Sequence, residues 1–131
     1  MSQRADGRSS DELRPVRFVR DFQASPAGAV LAQFGKTRVL CAVSVVDSVP
    51  RWMREQNVPG GWLTSEYQML PGATPERTTR ESRRGGPGGR SSEIQRLVGR
   101  SLRMAVDLEA VGPRTLYVDC DVLDADGGIG R

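Results

Sequence analysis

The chain has 131 residues, of which 37% are hydrophobic and 27% charged, a balance typical of one globular domain that buries its own core. With 19 basic and 16 acidic residues, the net charge of +3 does not by itself indicate a partner. The absence of histidine excludes a histidine-based catalytic triad and histidine metal ligands.

The first third of the chain predicts three strands. Period-two alternation over 15–22 indicates the first strand. The segment 28–46 predicts two strands joined by a tight type II′ turn, because Gly35 occupies the first turn position before Lys36. Residues 38–46 are almost continuously apolar, so we expect a central strand covered on both faces.

The middle of the chain predicts connections and one more strand. Prolines and glycines in 47–61 indicate a connection, and 62–70 fits a strand. Residues 71–89 are rich in glycine, proline, threonine and arginine, and they predict a loop.

A helix is predicted from Ser92, which fits a capping box with Gln95, to the stop at Gly112-Pro113. Its apolar or small stripe consists of Ile94, Leu97, Val98, Ser101, Leu102, Ala105 and Leu108. A neighbouring face carries Arg96, Arg100 and Arg103. Alternation over 115–122 then predicts a strand with one covered face.

The glycine-rich stretch before this helix is a candidate anion site. The first turn of a helix presents unpaired N–H groups and a positive dipole end, and glycines let a ligand approach the backbone. Arg90 stands immediately before the predicted start. We therefore expect an anion, most simply phosphate, with a solvated surface loop as the alternative. A second glycine loop at 127–131 can also direct backbone amides at an anion.

Charge is segregated in the second half of the chain. Eight arginines and two glutamates lie from Arg77 to Arg103, whereas six acids and one arginine lie from Met104 to Asp126. All basic residues except Lys36 are arginine, which pairs bidentately with phosphate oxygens. The pattern fits a polyanion contact, and a solvated charged face or a GC-rich genome remains an alternative.

The two cysteines, Cys41 and Cys120, lie in apolar stretches and fit neither a disulfide framework nor a metal-ligand spacing. They predict buried thiols in a reducing compartment. No apolar run reaches membrane-spanning length and no signal segment is visible, so we expect a cytoplasmic protein without a membrane partner.

Six segments carry a resemblance to a known family. They are GRSSDELRPV (7–16), FGKTRVLCAVS (34–44), VPR (49–51), GWLTSEYQMLPG (61–72), GGRSSEIQRLVGRSLR (88–103) and DCDVLDADGG (119–128). In this order and spacing they resemble the N-terminal half of bacterial ribonuclease PH. The resemblance implies an α+β fold with a mixed β-sheet and packed helices, as a single partial domain over residues 1–131.

The resemblance also implies a function. It is that of a phosphorolytic 3′-to-5′ exoribonuclease, a nucleotidyltransferase that uses inorganic phosphate as co-substrate and releases nucleoside diphosphates. In this family the RNA partners are transfer RNA precursors and ribosomal RNA, magnesium assists, and the assembly is a hexameric ring built from dimers. A non-catalytic RNA-binding or assembly module is the alternative, since clustered arginines can bind RNA without cleaving it.

Individual residues match the family's functional positions. Arg90 matches its phosphate-binding arginine, and Arg77 and Arg80 match arginines that hold RNA. Gly72 stands where the family usually has a further arginine, which removes one expected RNA contact.

The second phosphate loop departs from the family pattern. Gly128 matches, but Ile129 replaces a threonine hydroxyl and Arg131 lies one position late. The resemblance places the metal-binding aspartates in a second half that this sequence lacks, so the catalytic residues are unknown. The acids that are present, Asp119, Asp121, Asp124 and Asp126, are not expected to hold a metal. We expect a truncated or frame-disrupted product that is inactive by itself.

Overall fold

One mixed sheet of five strands organises the chain, in a computed structural model that describes residues 7–126 apart from the side chain of Arg84. The strands are β1 (Val16–Arg20), β2 (Gly28–Phe34), β3 (Thr37–Val46), β4 (Trp62–Met69) and β5 (Thr115–Asp124). Their spatial order is β1-β2-β3-β5-β4, and only the pair β4 and β5 is parallel. The expected mixed sheet is confirmed, as are the predicted strands.

The turn between β2 and β3 has the predicted geometry. Phe34 pairs with Thr37, so Gly35 and Lys36 alone form the loop. Gly35 has a φ of 60°, a left-handed value that suits the first position of a type II′ turn.

The main core lies on one face of the sheet, below α2 (Gly89–Ala105). Every second side chain of β4 and of β5 points toward this helix, because side chains alternate between the two faces of a sheet. The buried ones are Leu63, Tyr67, Val118, Cys120 and Val122. Helix residues Ile94, Val98 and Leu102 pack on them, as the predicted stripe requires.

Helix α2 also covers the open edge of β4. The Gln95 Oε1 accepts the backbone N–H of Tyr67 at 3.1 Å, and the Arg103 Nε donates to the Leu63 carbonyl at 2.8 Å. The Ser65 hydroxyl donates to the Gln95 carbonyl at 2.8 Å. These bonds satisfy edge groups that would otherwise be exposed, and they fix the helix along the strand.

The boundaries predicted for this helix were wrong at both ends. It begins at Gly89 without a side-chain cap, because Gln95 bonds to β4 and does not cap Ser92. It ends at Ala105, and α3 (Leu108–Val111) forms a separate turn. Asp107 starts α3, since its carboxylate accepts the N–H groups of Glu109 and Ala110 at 3.2 and 3.3 Å.

The predicted stripe and arginine face were also partly wrong. Leu97 is 55% exposed, and Ser101 and Ala105 are exposed as well. Arg103 leaves the arginine face and lies 4.3 Å over the Trp62 ring, because its stem reaches the edge of β4. Arg96 remains exposed.

Strand β3 is central, as predicted, but it is not covered on both faces. Of its ten residues only Thr37 is buried, five are half-buried and four are exposed, among them Val45 at 43%. Helix α2 covers the part of the sheet formed by β4 and β5, and it leaves the part formed by β1 and β2 open on the same face. Phe18 and Phe34 therefore remain 60% and 45% exposed, in edge-to-face contact at 6.3 Å between ring centroids.

Two connections contain short elements that the periodicity did not predict. Residues 47–61 include α1 (Arg51–Glu55), which buries Met53 to 2% exposure. The predicted loop 71–89 contains two single 3₁₀ turns, Pro71–Ala73 and Glu81–Arg84. Within residues 7–126, no helix is long and apolar enough to cross a membrane.

Candidate anion-binding site

The N-terminus of α2 presents its first amides without a side-chain cap. Gly88 is the N-cap residue, and its carbonyl accepts the first helical hydrogen bond from the Ser92 N–H at 3.0 Å. The amides of Gly89, Arg90 and Ser91 are therefore the groups that a ligand would meet at the positive end of the helix dipole.

A cavity of about 520 Å³ lies at this helix end. Its lining consists of residues 85–91 together with Tyr67, Met69, Thr78 and Glu81. Arg90 is the second residue of α2 and not the residue before it, and its exposed guanidinium lies beside the Tyr67 hydroxyl. The expected combination of a glycine loop, an arginine and a helix start is thus assembled in one cavity.

The glycines shape the wall of this cavity. Gly85 and Gly86 have φ values of 89° and 125°, which residues with a Cβ atom rarely adopt. They turn the chain from the 3₁₀ turn Glu81–Arg84 back to the start of α2. The loop is held there by a short hydrogen bond from the Ser91 hydroxyl to the Glu81 carboxylate.

Glu81 brings a negative charge into the same cavity, which sequence reasoning did not foresee. A carboxylate beside an anion is unfavourable, so any anion must gain more from Arg90 and the helix amides than it loses to Glu81.

Tyr67 is the second residue of the cavity that sequence reasoning missed. Burial raises the pKa of the Tyr67 phenol, although the nearby Arg90 guanidinium offsets part of that rise. The phenol is therefore protonated at neutral pH and keeps its O–H donor. The period-two pattern of β4 could have marked Tyr67 as inward-facing, but not as a neighbour of Arg90.

The two predicted RNA-binding arginines lie on the loop that borders this cavity. Arg77 and Arg80 are exposed, and Thr78 between them lines the cavity and bonds through its N–H to the Pro71 carbonyl at 3.0 Å. Gly72 lies elsewhere, in a cleft that it shares with Lys36 and Arg38.

The predicted phosphate-loop residues Gly128 and Arg131, with Ile129, lie outside the described residues. The segment just before them is described. Ala125 donates its N–H to the Ala73 carbonyl at 2.9 Å and packs on the cluster formed by Tyr67, Ala73 and Val122. The fold thus brings the end of β5 to the cluster that also supports the cavity.

Asp126 fixes the end of β5 to the turn between β2 and β3. Its carboxylate accepts a short hydrogen bond from the Thr37 hydroxyl and another from the Lys36 N–H at 3.1 Å, and lies 3.4 Å from the Arg14 guanidinium. The Thr37 bond, followed by the Lys36 bond and Arg14, holds the pKa of Asp126 below its ordinary value.

The four acids in and just after β5 have different surroundings in the structure. Asp119 and Asp121 alternate with the core residues Val118 and Cys120, and they line a cleft of about 530 Å³. The same cleft is lined by Tyr67, Glu81 and Gln95, so it adjoins the cavity at the start of α2, and Glu66 pairs with Asp119 in the sheet. Burial and then the charge of Asp119 raise the pKa of Asp121. Asp124 instead pairs with Arg38 at 2.6 Å. In the described part of the chain, no group of three or more acids and thiols is arranged to hold a metal ion.

The two cysteines are direct neighbours across β3 and β5, a pairing that their separation in sequence did not reveal. Both are free thiols, and Cys120 is buried as predicted whereas Cys41 is half-buried. The hydrogen bond between them lowers the pKa of Cys41 and raises that of Cys120.

Comparisons with known proteins agree with this architecture. A protein from Nocardia farcinica named Ribonuclease PH is 59% identical over 128 residues, which cover 98% of this chain and 49% of that relative. One of the same name from Corynebacterium kroppenstedtii is 61% identical over 125 residues, covering 95% of this chain and 48% of the relative. The chain thus spans about half the length of the curated relatives that it matches.

A solved structure has the same fold. It is described as the Archaeoglobus fulgidus exosome with RNA bound to the active site, and it matches with a TM-score of 0.80 and 27% identity over 98% of this chain and 50% of that one. The sequence also matches the family described as the 3′ exoribonuclease family, domain 1, over residues 12–130. Because this match covers nearly the whole sequence, the chain belongs to the 3′ exoribonuclease family.

Proposed function

We propose that the cavity at the start of α2 binds inorganic phosphate, and that the site serves phosphate-dependent 3′-to-5′ degradation of RNA. The observation that carries the proposal is the meeting of the Arg90 guanidinium and the first amides of α2 at one cavity that opens behind a glycine loop. A phosphate dianion matches this set of donors in charge and in geometry.

The reaction follows from what such a site would hold. A phosphate oxygen attacks the phosphorus of the last phosphodiester, and the bond from that phosphorus to the 3′ oxygen of the preceding nucleotide breaks. The 3′ oxygen takes the proton of the attacking hydrogen phosphate and leaves as a hydroxyl, and the terminal nucleotide departs as a nucleoside diphosphate. Arg90 and the helix amides orient the attacking phosphate and disperse its charge.

Arg77 and Arg80 are proposed to hold the RNA strand. Both are exposed on the loop whose Thr78 lines the cavity, so their guanidinium groups can reach a backbone phosphate near the bound anion. The RNA shown bound to the active site of the archaeal exosome structure supports this part of the proposal.

Magnesium assistance is part of the proposal, but the described residues do not fit a complete ion site. Asp124 is paired with Arg38, and Asp126 is bonded to Thr37 and Lys36. Asp119 and Asp121 are two carboxylates in a cleft that also contains Tyr67 and Glu81, and with those groups they do not form a metal-holding cluster among the described residues. We infer that metal ligands come from the half that the longer relatives contain beyond the match.

The substrates, the assembly and the extent of the domain are inferred from the same family. We infer transfer RNA precursors and ribosomal RNA as substrates, a hexameric ring of dimers as the assembly, and one partial domain over residues 1–131. Two free cysteines and an RNA substrate suit the reducing cytoplasm. Sedimentation of the purified chain tests the assembly.

The phosphate site is tested by titrating phosphate into Arg90→Ala and following binding by ³¹P NMR or calorimetry, with ionic strength held constant by chloride. We expect a loss of affinity of about tenfold or more, because hydrogen bonds from a charged donor are removed. Arg100→Ala is the matched control, since Arg100 is exposed on the same helix outside the cavity.

Equal affinity in the two variants would overturn the assignment of Arg90. The alternative of a non-catalytic RNA-binding module predicts salt-dependent RNA binding without phosphate binding. Phosphate affinity therefore separates the two functions, whereas RNA affinity does not.

A further inference from the structure

Tyr67 carries a buried hydroxyl that has no hydrogen bond of normal geometry in the described structure, although the Arg90 guanidinium lies close enough to lower its pKa by donating toward it. The residue is 6% exposed, and its ring packs in the cluster with Ala73 and Val122. Within residues 7–126, the structure provides no hydrogen-bond partner of good geometry for this hydroxyl. Burial of an unpaired hydroxyl is unfavourable, and phenylalanine would fill the same space without that penalty.

The hydroxyl lies at the cavity below the start of α2. Tyr67 lines that cavity, and the Arg90 guanidinium and the Glu81 carboxylate are the charged groups near its phenol. The Glu81 carboxylate accepts the hydroxyl of Ser91. A neutral donor therefore lies at the cavity that Arg90 and the first residues of α2 also line.

We propose that the Tyr67 hydroxyl donates a hydrogen bond to the phosphate bound at the start of α2, and so acts as a phosphate-binding residue beside Arg90. The inference rests on the proposed function, because it requires an oxyanion in this cavity. Strand β4 holds the phenol rigidly, so the donor is in place before the ligand arrives and loses little entropy on binding.

A neutral donor suits this position because of Glu81. A second cation would pair with that carboxylate and be partly neutralised, whereas a phenol adds a directed hydrogen bond without changing the charge of the cavity. The bond also favours ligands with several acceptor oxygens, such as phosphate, over a simple halide.

The test is Tyr67→Phe in the full 131-residue chain, with thermal unfolding recorded against phosphate concentration at constant ionic strength. Without phosphate, the variant is expected to unfold at the same temperature as the wild type or higher, because an unpaired buried hydroxyl is removed. With phosphate, its stabilisation should be smaller, corresponding to affinity weakened by about tenfold. A residue that acts only through packing would not produce this pair of results.

Three outcomes would overturn the inference, and they are distinguishable. If Arg90→Ala loses phosphate stabilisation but Tyr67→Phe keeps it, the phosphate site stands and the role of Tyr67 falls. If Tyr67→Phe unfolds at a lower temperature without phosphate, the hydroxyl has a partner within the protein. If the wild type itself gains no stability from phosphate beyond that from chloride, the proposed function and the role of Tyr67 both fail.

Discussion

Asp126 joins parts of the chain that are distant in sequence. It accepts hydrogen bonds from Thr37 and from the Lys36 amide and lies beside Arg14, all more than 80 residues earlier in the chain. The sequence presented it only as one of several acids at the end of a strand. Its structural role depends on the pairing of β3 with β5, which no local pattern encodes.

The lowered pKa of Asp126 predicts a pH-dependent role in stability. Since the folded pKa lies below the unfolded value of about 4, the carboxylate stabilises the fold above about pH 4, and this contribution is lost as the pH falls through the folded pKa. We expect Asp126→Asn to lower the melting temperature at pH 7 by roughly 3–6 °C, with the difference shrinking below about pH 4. Thermal unfolding at several pH values measures both.

Asp47→Asn is the control for this experiment, because the Asp47 side chain is 93% exposed and lies 3.7 Å from its arginine partner. It should change stability by less than about 0.5 kcal/mol. A loss in Asp126→Asn that persists unchanged at pH 3 would contradict the electrostatic explanation.

At the scale of elements, the approach of α3 to the start of β4 depends on Gly61. A Cβ atom at this position would lie 2.6 Å from the Gly112 carbonyl and from the Val111 side chain. The Gly61 amide also bonds to the Leu108 carbonyl at 2.7 Å. The sequence marked this glycine only as part of a connection, because its neighbours come from a segment about 50 residues later in the chain.

Gly61→Ala is therefore expected to destabilise the fold by about 1–3 kcal/mol, since two backbone segments would have to move apart. Urea unfolding monitored by tryptophan fluorescence measures the change. Gly72→Ala is the matched control, because nothing lies within 4 Å of a Cβ at that position. Similar stability of the two variants would show that the close approach does not limit the fold.

The boundaries of α2 are also set by contacts between elements. Its existence follows from helical periodicity, but its start, its end and the direction of Arg103 are set by contacts with β4. The side chains of Gln95 and Arg103 form hydrogen bonds with the edge of β4. The sequence pattern suggested a helix cap and an arginine face, but these two residues instead make tertiary contacts.

At the scale of the whole molecule, the sheet is only partly covered. The sheet face that α2 covers at β4 and β5 exposes apolar surface elsewhere, at Phe18, Phe34 and Val45. The chain spans about half the length of its curated relatives. The described residues supply a candidate phosphate site but no complete group of metal ligands.

We therefore predict that this 131-residue chain alone, incubated with phosphate, magnesium and RNA bearing a 3′ extension, releases few nucleoside diphosphates, because charge neutralisation at the reacting phosphodiester is incomplete. Chromatography of the released nucleotides measures the product, and a full-length relative such as that of Nocardia farcinica is the positive control. Robust phosphate-dependent release by the chain alone would refute this expectation.

The sequence by itself determined the strands, the hairpin turn at Gly35, the existence of the long helix and the candidate phosphate residue Arg90. These features depend on alternation, turn chemistry and helix-end electrostatics, which act between residues close in sequence. Tertiary structure alone decided that β3 lies open on part of its surface, that Cys41 meets Cys120, and that Tyr67 and Glu81 share the cavity of Arg90. Those contacts depend on strand order and helix placement, and burial is settled only when distant segments pack together.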